Sequence, residues 1–178
     1  MNALAGLMLL VTVERLAELL VARRNSAWSR ARGGREYGRA HYPAMVALHA
    51  GLLVGCVAEP WAFGRPFLPV LGWPMLALAV AAQVLRWWCI ITLGRRWNTR
   101  VVVVEGLPLV TYGPYRWLRH PNYLAVVVEG FALPLVHTAW ATALCFTVLN
   151  LVLLSVRVRC EERALVGDRT VPMPGTAR

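Results

Sequence analysis

Long apolar runs alternate with short arginine-bearing stretches along the chain. A helix needs about 20 mostly apolar residues to cross the hydrocarbon layer of a membrane. Five runs are candidates for such helices: residues 3–22, 43–57, 67–93, 123–136 and 139–156. The fourth run is short, and Pro134 and His137 close it just before the fifth begins. The pattern predicts an all-α, polytopic membrane bundle of about five helices, the last two forming a tight hairpin.

The composition supports a membrane location. Of the 178 residues, 58% are hydrophobic and 16% are charged, against about 25% charged in soluble domains. The 19 basic residues are all arginines, and with 9 acidic residues they give a formal net charge of +10. Nucleic-acid-binding proteins place basic residues on a solvated surface, whereas these arginines lie between apolar runs. We therefore predict an integral membrane protein whose partner is the lipid bilayer, with no nucleic-acid partner.

The arginines also predict an orientation, because cytoplasmic loops carry an excess of positive charge. Arginine clusters follow the first, third and fifth runs, whereas the other two loops hold only Glu59, Arg65 and His137. This predicts an N-terminus outside and a C-terminus in the cytoplasm. The first run lacks the basic segment and cleavage site of a signal peptide, so it is predicted to be retained. Arginine without lysine is typical of a GC-rich bacterial genome and favours the bacterial inner membrane.

Two stretches, residues 25–41 and 94–122, are too polar to span a membrane. Residues 101–104 are β-branched and suit an extended conformation, but an isolated strand has no partner, so no sheet is predicted. Residues 1–178 are interpreted as one domain, and the tail at 167–178 is expected to be mobile. The four cysteines are widely spaced, so no metal site is predicted.

Ionisable residues inside membrane spans are costly, so they tend to be paired or functional. Glu14 and Glu18 are four residues apart and share one face of the first helix. We predict a polar seam in which they pair with Arg86 of the third helix, with contact to a substrate or headgroup as the alternative. For Glu129 in the fourth run, a cavity and pairing with a neighbour remain equally open. His49 is predicted to be a hydrogen-bonded core residue.

The densest group of polar and aromatic side chains runs from Gly113 to Tyr123 and includes the sequence Arg-His-Pro-Asn-Tyr. Proline favours the first turn of a helix, so a helix is predicted to begin near Pro121. Glu161 and Glu162 follow the fifth run and are predicted to emerge at the same end of the bundle. Together these residues predict a polar pocket at the cytoplasmic face of the membrane.

The pattern resembles the isoprenylcysteine carboxyl methyltransferase family of small membrane methyltransferases, in its branch of short bacterial members. That family's signature is a Gly-x-Tyr, an Arg-His-Pro-x-Tyr that opens a helical hairpin, and an Arg-x-x-x-Glu-Glu after the hairpin. Here these read as residues 113–115, 119–123 and 157–162, and a Gly-x-x-aromatic-Asn segment reads as residues 94–98. The resemblance covers roughly residues 93–165. Membrane sterol reductases share the Arg-His-Pro-x-Tyr block, but their Lys-Tyr-Gly segment is missing from this sequence.

The resemblance implies an S-adenosyl-L-methionine-dependent O-methyltransferase that acts on a carboxylate, phenol or enol oxygen of a lipophilic acceptor, either a small molecule or a prenylated one. It implies cofactor contacts from eight residues: Leu109, Val110, Tyr115, His120, Pro121, Asn122, Tyr123 and Glu161. Arg157 matches the family's substrate-contacting arginine and is the predicted catalytic residue. Two alternatives stay open, a nicotinamide-dependent membrane reductase and a non-catalytic membrane scaffold.

Overall fold

A computed structural model describes residues 2–169, and it contains five α-helices within that range. They are α1 (Asn2–Arg30), α2 (Tyr42–Phe63), α3 (Pro69–Leu93), α4 (Pro121–Leu135) and α5 (Trp140–Arg169). Two short strands, β1 (Arg35–Tyr37) and β2 (Val101–Val103), lie in the connections. The predicted all-α membrane bundle is therefore confirmed. Residues 170–178 of the predicted tail lie outside the described residues, while 167–169 continue α5.

Three of the described helical segments are long and apolar enough to cross a membrane: Arg39–Phe63, Pro69–Arg96 and Trp140–Leu165. Helix α4 has 15 residues and a length of about 22 Å, which is shorter than the hydrocarbon layer of about 30 Å. Helix α1 has 29 residues but carries Glu14, Arg15 and Glu18 in its middle. A tight turn joins α4 to α5, so the predicted hairpin is confirmed. In that turn Thr138 has a φ of 52°, and its hydroxyl donates to the Pro66 carbonyl at 2.9 Å.

The helices extend beyond the predicted apolar runs. Helix α1 continues through Arg30 and α5 through Arg169, because arginine is a good helix former and a helix does not end where the apolar sequence ends. Helix α2 reaches Phe63, so Glu59 lies within it and is buried. The expectation that Glu59 belongs to a loop is therefore wrong.

The two strands pair in an antiparallel sheet, with Arg35 opposite Val103 and Tyr37 opposite Val101. The prediction that the valine-rich segment would stay unpaired is wrong, because the polar stretch after α1 supplies its partner. Glu36 accepts a hydrogen bond from Arg100 Nη1 at 2.7 Å and reinforces the pairing. The sheet contacts α1 and α5. We call this end of the bundle the sheet end, and the end that holds the α4–α5 turn the hairpin end.

Helix α4 packs mainly against α3 and α5. Gly130 of α4 lies so close to α5 that a Cβ atom at this position would overlap the Phe146 ring. Phe146 belongs to a buried apolar cluster with Met8, Leu52 and Leu133, which joins α1, α2, α4 and α5. The glycine therefore lets the two helices of the hairpin approach each other closely.

Four charged side chains form a cluster inside the bundle. Glu18 accepts hydrogen bonds from Arg86 Nε at 2.5 Å and Nη2 at 2.8 Å, and from Arg15 Nη1 at 2.7 Å. Arg15 also donates to Glu129. We call Arg15, Glu18, Arg86 and Glu129 the intramembrane ion cluster. It joins α1 to α3 and α4, so the predicted pairing of Glu18 with Arg86 is confirmed, and Glu129 pairs with a neighbour.

Two further polar side chains lie beside this cluster. Glu14 accepts a hydrogen bond from Trp87 Nε1 at 2.6 Å and forms no ion pair with Arg86 within the described residues, so that part of the predicted seam is wrong. His49 Nδ1 is 2.8 Å from the Met45 carbonyl oxygen, and its ring packs edge-on against Phe146. His49 is a hydrogen-bonded core residue, as predicted.

Replacing Glu59 with alanine is expected to lower the free energy of unfolding by about 1–2 kcal/mol, the cost of losing a helix cap. The Glu59 carboxylate accepts hydrogen bonds from the backbone nitrogens of Ala141 and Thr142, at 3.2 and 2.8 Å, and from the Thr142 hydroxyl. These are unsatisfied donors of the first turn of α5. Thermal unfolding in detergent checks the prediction, with Glu105→Ala, an exposed carboxylate at the sheet end, as the control. Equal midpoints for the two variants would contradict it.

Candidate active site

The loop before α4 places aromatic side chains at the sheet end. A 3₁₀ turn covers Gly113–Arg116, and Gly113 has a φ of +61° while lying against Thr92 of α3. An added Cβ atom at Gly113 would be 2.7 Å from the Thr92 hydroxyl, so glycine allows this close approach. Helix α4 then begins at Pro121, as predicted, after the non-helical residue His120.

A single hydroxyl group joins the two halves of the motif. The Tyr123 hydroxyl, in the first turn of α4, donates to Glu161 Oε2 of α5. The Tyr123 hydroxyl oxygen also accepts a hydrogen bond from Arg157 Nε at 2.9 Å. Residues far apart in the sequence therefore meet where α4 begins and the last turns of α5 pass it.

Arg157 is a buried cation, with 6% of its surface exposed. Besides Tyr123, its guanidinium donates from Nη1 to the Thr99 carbonyl at 2.7 Å and contacts Met45 Sδ at 3.4 Å. No carboxylate of the described residues lies within ion-pair distance of it. A buried guanidinium without a carboxylate partner is suited to hold an anionic group.

Two more aromatic side chains complete the polar surface. The His120 ring stacks on the Tyr123 ring, with centroids 5.3 Å apart and an angle of 14° between the planes. His120 Nε2 lies 3.7 Å from Glu162 Oε1. Burial and the neighbouring Cys89 thiol raise the pKa of Tyr115 above its usual value. Like that of an ordinary tyrosine, its hydroxyl is protonated at physiological pH and can donate a hydrogen bond.

The Asn122 side chain has an unsatisfied acceptor. Its Oδ1 is buried and accepts no hydrogen bond from any residue that the structure describes. Buried polar atoms in folded proteins are usually paired. Asn122 also lies between His120 and Tyr123 in the first turn of α4. An unpaired acceptor of this kind is chemically complementary to hydroxyl or ammonium donors.

The structure brings most of the predicted site residues together. Those that start α4 or lie on the facing turns of α5 are His120, Pro121, Asn122, Tyr123, Arg157 and Glu161. Tyr115 lies in the preceding 3₁₀ turn, near Glu161 and Tyr123.

Leu109 and Val110 lie in the loop between β2 and the 3₁₀ turn, and Leu109 is 51% exposed. Arg96 Nη1 donates to the Pro108 carbonyl at 2.5 Å, and the Tyr112 hydroxyl donates to the Thr92 carbonyl at 3.1 Å. The described hydrogen bonds of this loop therefore attach it to the end of α3. The structure does not bring these two residues into the hydrogen-bonded group around Tyr123.

Several residues that support the site were not predicted. Asn25 of α1 donates from Nδ2 to the carbonyls of Gly94 and Trp97, at 3.0 and 2.7 Å, and so stabilises the segment that leads to Thr99. Asn25 is the first polar uncharged residue after the first apolar run, and this position could have indicated a structural role for its side chain. Met45 and Thr99, which contact Arg157, carry no sequence signal because one is apolar and the other acts through its backbone.

Comparison with known proteins gives the family. Residues 75–167, from the second turn of α3 to the last turn of α5, match the isoprenylcysteine carboxyl methyltransferase (ICMT) family. The chain is also similar to the uncharacterized protein YpbQ of Bacillus subtilis (strain 168), with 38% identity over 160 residues, covering 89% of this chain and 94% of that protein. The family match includes the α4 and α5 residues that meet at the Tyr123 hydroxyl. The chain therefore belongs to the isoprenylcysteine carboxyl methyltransferase family of membrane methyltransferases.

Proposed function

We propose that the protein is an S-adenosylmethionine-dependent O-methyltransferase whose acceptor is a lipophilic molecule with an acidic oxygen. Membership of the family supports the class of reaction. The observation that carries the proposal is the Tyr123 hydroxyl, which holds Glu161 on one side and the buried Arg157 on the other. This arrangement gives one site a group that accepts hydrogen bonds and a group that attracts anions.

The residues around the start of α4 fit the chemistry of S-adenosylmethionine. Asn122 Oδ1 is a buried acceptor that needs a donor, and the cofactor offers ribose hydroxyls and an ammonium group. Glu161 has one carboxylate oxygen engaged by Tyr123 and a second for a ligand. Tyr115, His120 and Pro121, with Leu109 and Val110 of the preceding loop, would complete the contacts. When bound, the cofactor supplies an electrophilic methyl group.

Arg157 is proposed to position the acceptor. Its buried charge is not neutralised by any described carboxylate, and charge-assisted hydrogen bonds to an anion are strong. A direct displacement depends mainly on holding the two reacting atoms in line. A carboxylate acceptor needs no general base, and a phenol or enol would be held in its anionic form. The same guanidinium thus serves both kinds of acceptor.

The protein is proposed to lie in a bacterial inner membrane with its sheet end facing the cytoplasm, because the arginine-rich segments lie at that end. The N-terminus would then lie outside. A water-soluble cofactor would reach the site from the cytoplasm. The apolar part of the acceptor would enter from the lipid between helices.

Transfer of a labelled methyl group tests the proposal. Purified protein is incubated with S-adenosylmethionine labelled in its methyl group and with a lipid extract from bacterial membranes. We expect label in the organic phase, and its release by mild base distinguishes a methyl ester of a carboxylate from a methyl ether. Arg157→Gln is expected to abolish the transfer, whereas Arg24→Gln, an exposed arginine of α1, is expected to leave it unchanged.

The two alternatives predict other outcomes. A nicotinamide-dependent reductase would bind a nicotinamide cofactor and leave the lipid extract unlabelled. A scaffold would bind neither cofactor and would tolerate Arg157→Gln. Either result, obtained with folded protein, would overturn the proposed methyl transfer.

A further inference from the structure

A groove of about 530 Å³ opens at the sheet end between the start of α2 and the end of α5. The segment around β1 forms one wall and the last turns of α5 form the other. Its principal lining residues are Tyr37, His41, Val156, Arg159, Cys160 and Arg163. We call it the basic groove. It lies beside Arg157 in the sequence. Its arginines, Arg159 and Arg163, project from a different side of α5, whereas Arg157 bonds to Tyr123 and Thr99.

The charges at this end of α5 are sorted onto two sides of the helix. Glu161 bonds to Tyr123 and Glu162 approaches His120, on the side that faces α4. Arg159 and Arg163 line the groove, and neither forms an ion pair with a carboxylate of the described residues. No acidic residue lines the groove among the described residues. The charge of the groove is therefore complementary to an anion, with two exposed arginines one helical turn apart on α5.

The position of the groove along α5 corresponds to the headgroup layer. Helix α5 begins at Trp140, which is 49% exposed, as is common for tryptophan at a membrane boundary. At 1.5 Å per residue, about 20 residues cross a hydrocarbon layer of about 30 Å. Counted from Trp140, the other boundary of the hydrocarbon layer then falls close to Cys160. Arg159 and Arg163 thus lie at the depth of lipid phosphates.

An apolar track leads from the groove toward the hairpin end. Leu149, Val152 and Val156 follow one another on α5, and their surfaces are 53%, 59% and 44% exposed. The same seam between α2 and α5 contains a second cavity, of about 380 Å³, lined mainly by apolar side chains that include Leu52 and Leu149. An acyl chain fits this track while its headgroup lies in the groove.

We propose that the basic groove is a binding site for an anionic phospholipid, with its phosphate held by Arg159 and Arg163 and an acyl chain along the α5 track. Basic pockets beside transmembrane helices are suited to anionic headgroups. Gly38 allows the segment around β1 to approach α5 closely. Its φ is +65°, and an added Cβ atom would overlap the His41 ring and lie 2.8 Å from Cys160 Sγ. This site is separate from the proposed methyl-transfer site and does not depend on it.

Lipid binding to the purified full chain tests this site, measured by native mass spectrometry and by thermal unfolding with added lipid. We expect one phosphatidylglycerol to be retained in preference to phosphatidylcholine. The double variant Arg159→Gln/Arg163→Gln is expected to lose about 30-fold in phosphatidylglycerol affinity, the loss expected for two arginines near the headgroups. The matched control Arg23→Gln/Arg24→Gln removes the same charge from exposed positions on α1 and is expected to keep the wild-type affinity.

Three outcomes would overturn the proposal. Equal losses in both double variants would mean diffuse attraction to positive charge. A similar stabilisation by inorganic phosphate alone would mean a free-phosphate site with no role for the acyl chain. The third test uses the wild-type protein, so a folding defect of a variant cannot affect it. Phosphatidylglycerol is expected to slow the modification of Cys160 by maleimide more than phosphatidylcholine does. The absence of that protection would also contradict the site.

Discussion

Glu161→Gln is expected to weaken the binding of S-adenosylhomocysteine by about 10- to 100-fold, because hydrogen bonds to a charged group contribute about 1.5–3 kcal/mol. The substitution keeps the size of the side chain and an oxygen that can accept from Tyr123. It removes the charge that would attract the ammonium group of the ligand. Calorimetric titration of the detergent-purified protein measures the change.

The control for this prediction is Glu105→Gln. Glu105 is an exposed carboxylate at the same end of the bundle and lies 3.6 Å from Arg35. Glu105→Gln changes the net charge by the same amount as Glu161→Gln but removes no group of the site. The affinity for S-adenosylhomocysteine is therefore expected to stay within twofold of the wild type, since an exposed ion pair contributes little free energy. Unchanged binding by the Glu161 variant would exclude Glu161 from the cofactor site.

Glu18→Leu is expected to lower the free energy of unfolding by about 3–5 kcal/mol, the cost of leaving one partner of a buried ion pair without the other. Glu18 has 2% of its surface exposed, and it accepts two hydrogen bonds from Arg86 and one from Arg15. Arg15 keeps Glu129 as a partner, whereas Arg86 loses its only carboxylate among the described residues. Denaturation in mixed detergent micelles measures the loss.

A double variant separates charge from packing. Glu18→Leu/Arg86→Met removes both charges and is expected to recover much of the lost stability, because replacing a buried pair with apolar residues is often neutral. Glu14→Gln on the same helix is the control. Glu14 accepts only from the neutral Trp87 indole among described hydrogen bonds, and an amide oxygen can do the same. If the double variant is no more stable than Glu18→Leu, the pair stabilises the fold through the packing of its side chains and not through the neutralisation of buried charge.

The apolar pattern predicted the existence and order of the helices because the length of an apolar run reflects the thickness of the membrane. It did not predict where the helices end, since α1 and α5 continue through arginine-rich turns outside the apolar runs. The five helices were predicted, and three described segments meet the length and apolarity of a membrane span. Helix α4 is short, as predicted, and α1 carries charged residues that hold it to α3.

The sheet was not predicted because its two strands are brought together by the bundle. Strand β1 follows α1 and β2 follows α3, and both helices end at the same end of the bundle. Each strand has three residues, and neither indicates its partner from local sequence. Pairing between distant segments depends on the tertiary structure more than on propensity.

The meeting of most candidate site residues in the fold was predictable, because these residues cluster in two short motifs at helix ends. The structure adds the bridge through Tyr123, which explains how Arg157 and Glu161 come to face the start of α4. Met45 and the Thr99 carbonyl were beyond prediction, because they contribute a sulfur and a backbone atom rather than a recognisable polar side chain. Leu109 and Val110 remain proposals, since the described hydrogen bonds of their loop attach it to α3.

Titration of S-adenosylhomocysteine into the folded wild-type protein tests the proposed methyltransferase function without any knowledge of the acceptor. We expect saturable binding at one site per chain, and no binding of a nicotinamide cofactor under the same conditions. Absence of S-adenosylhomocysteine binding to a protein that unfolds cooperatively would contradict it.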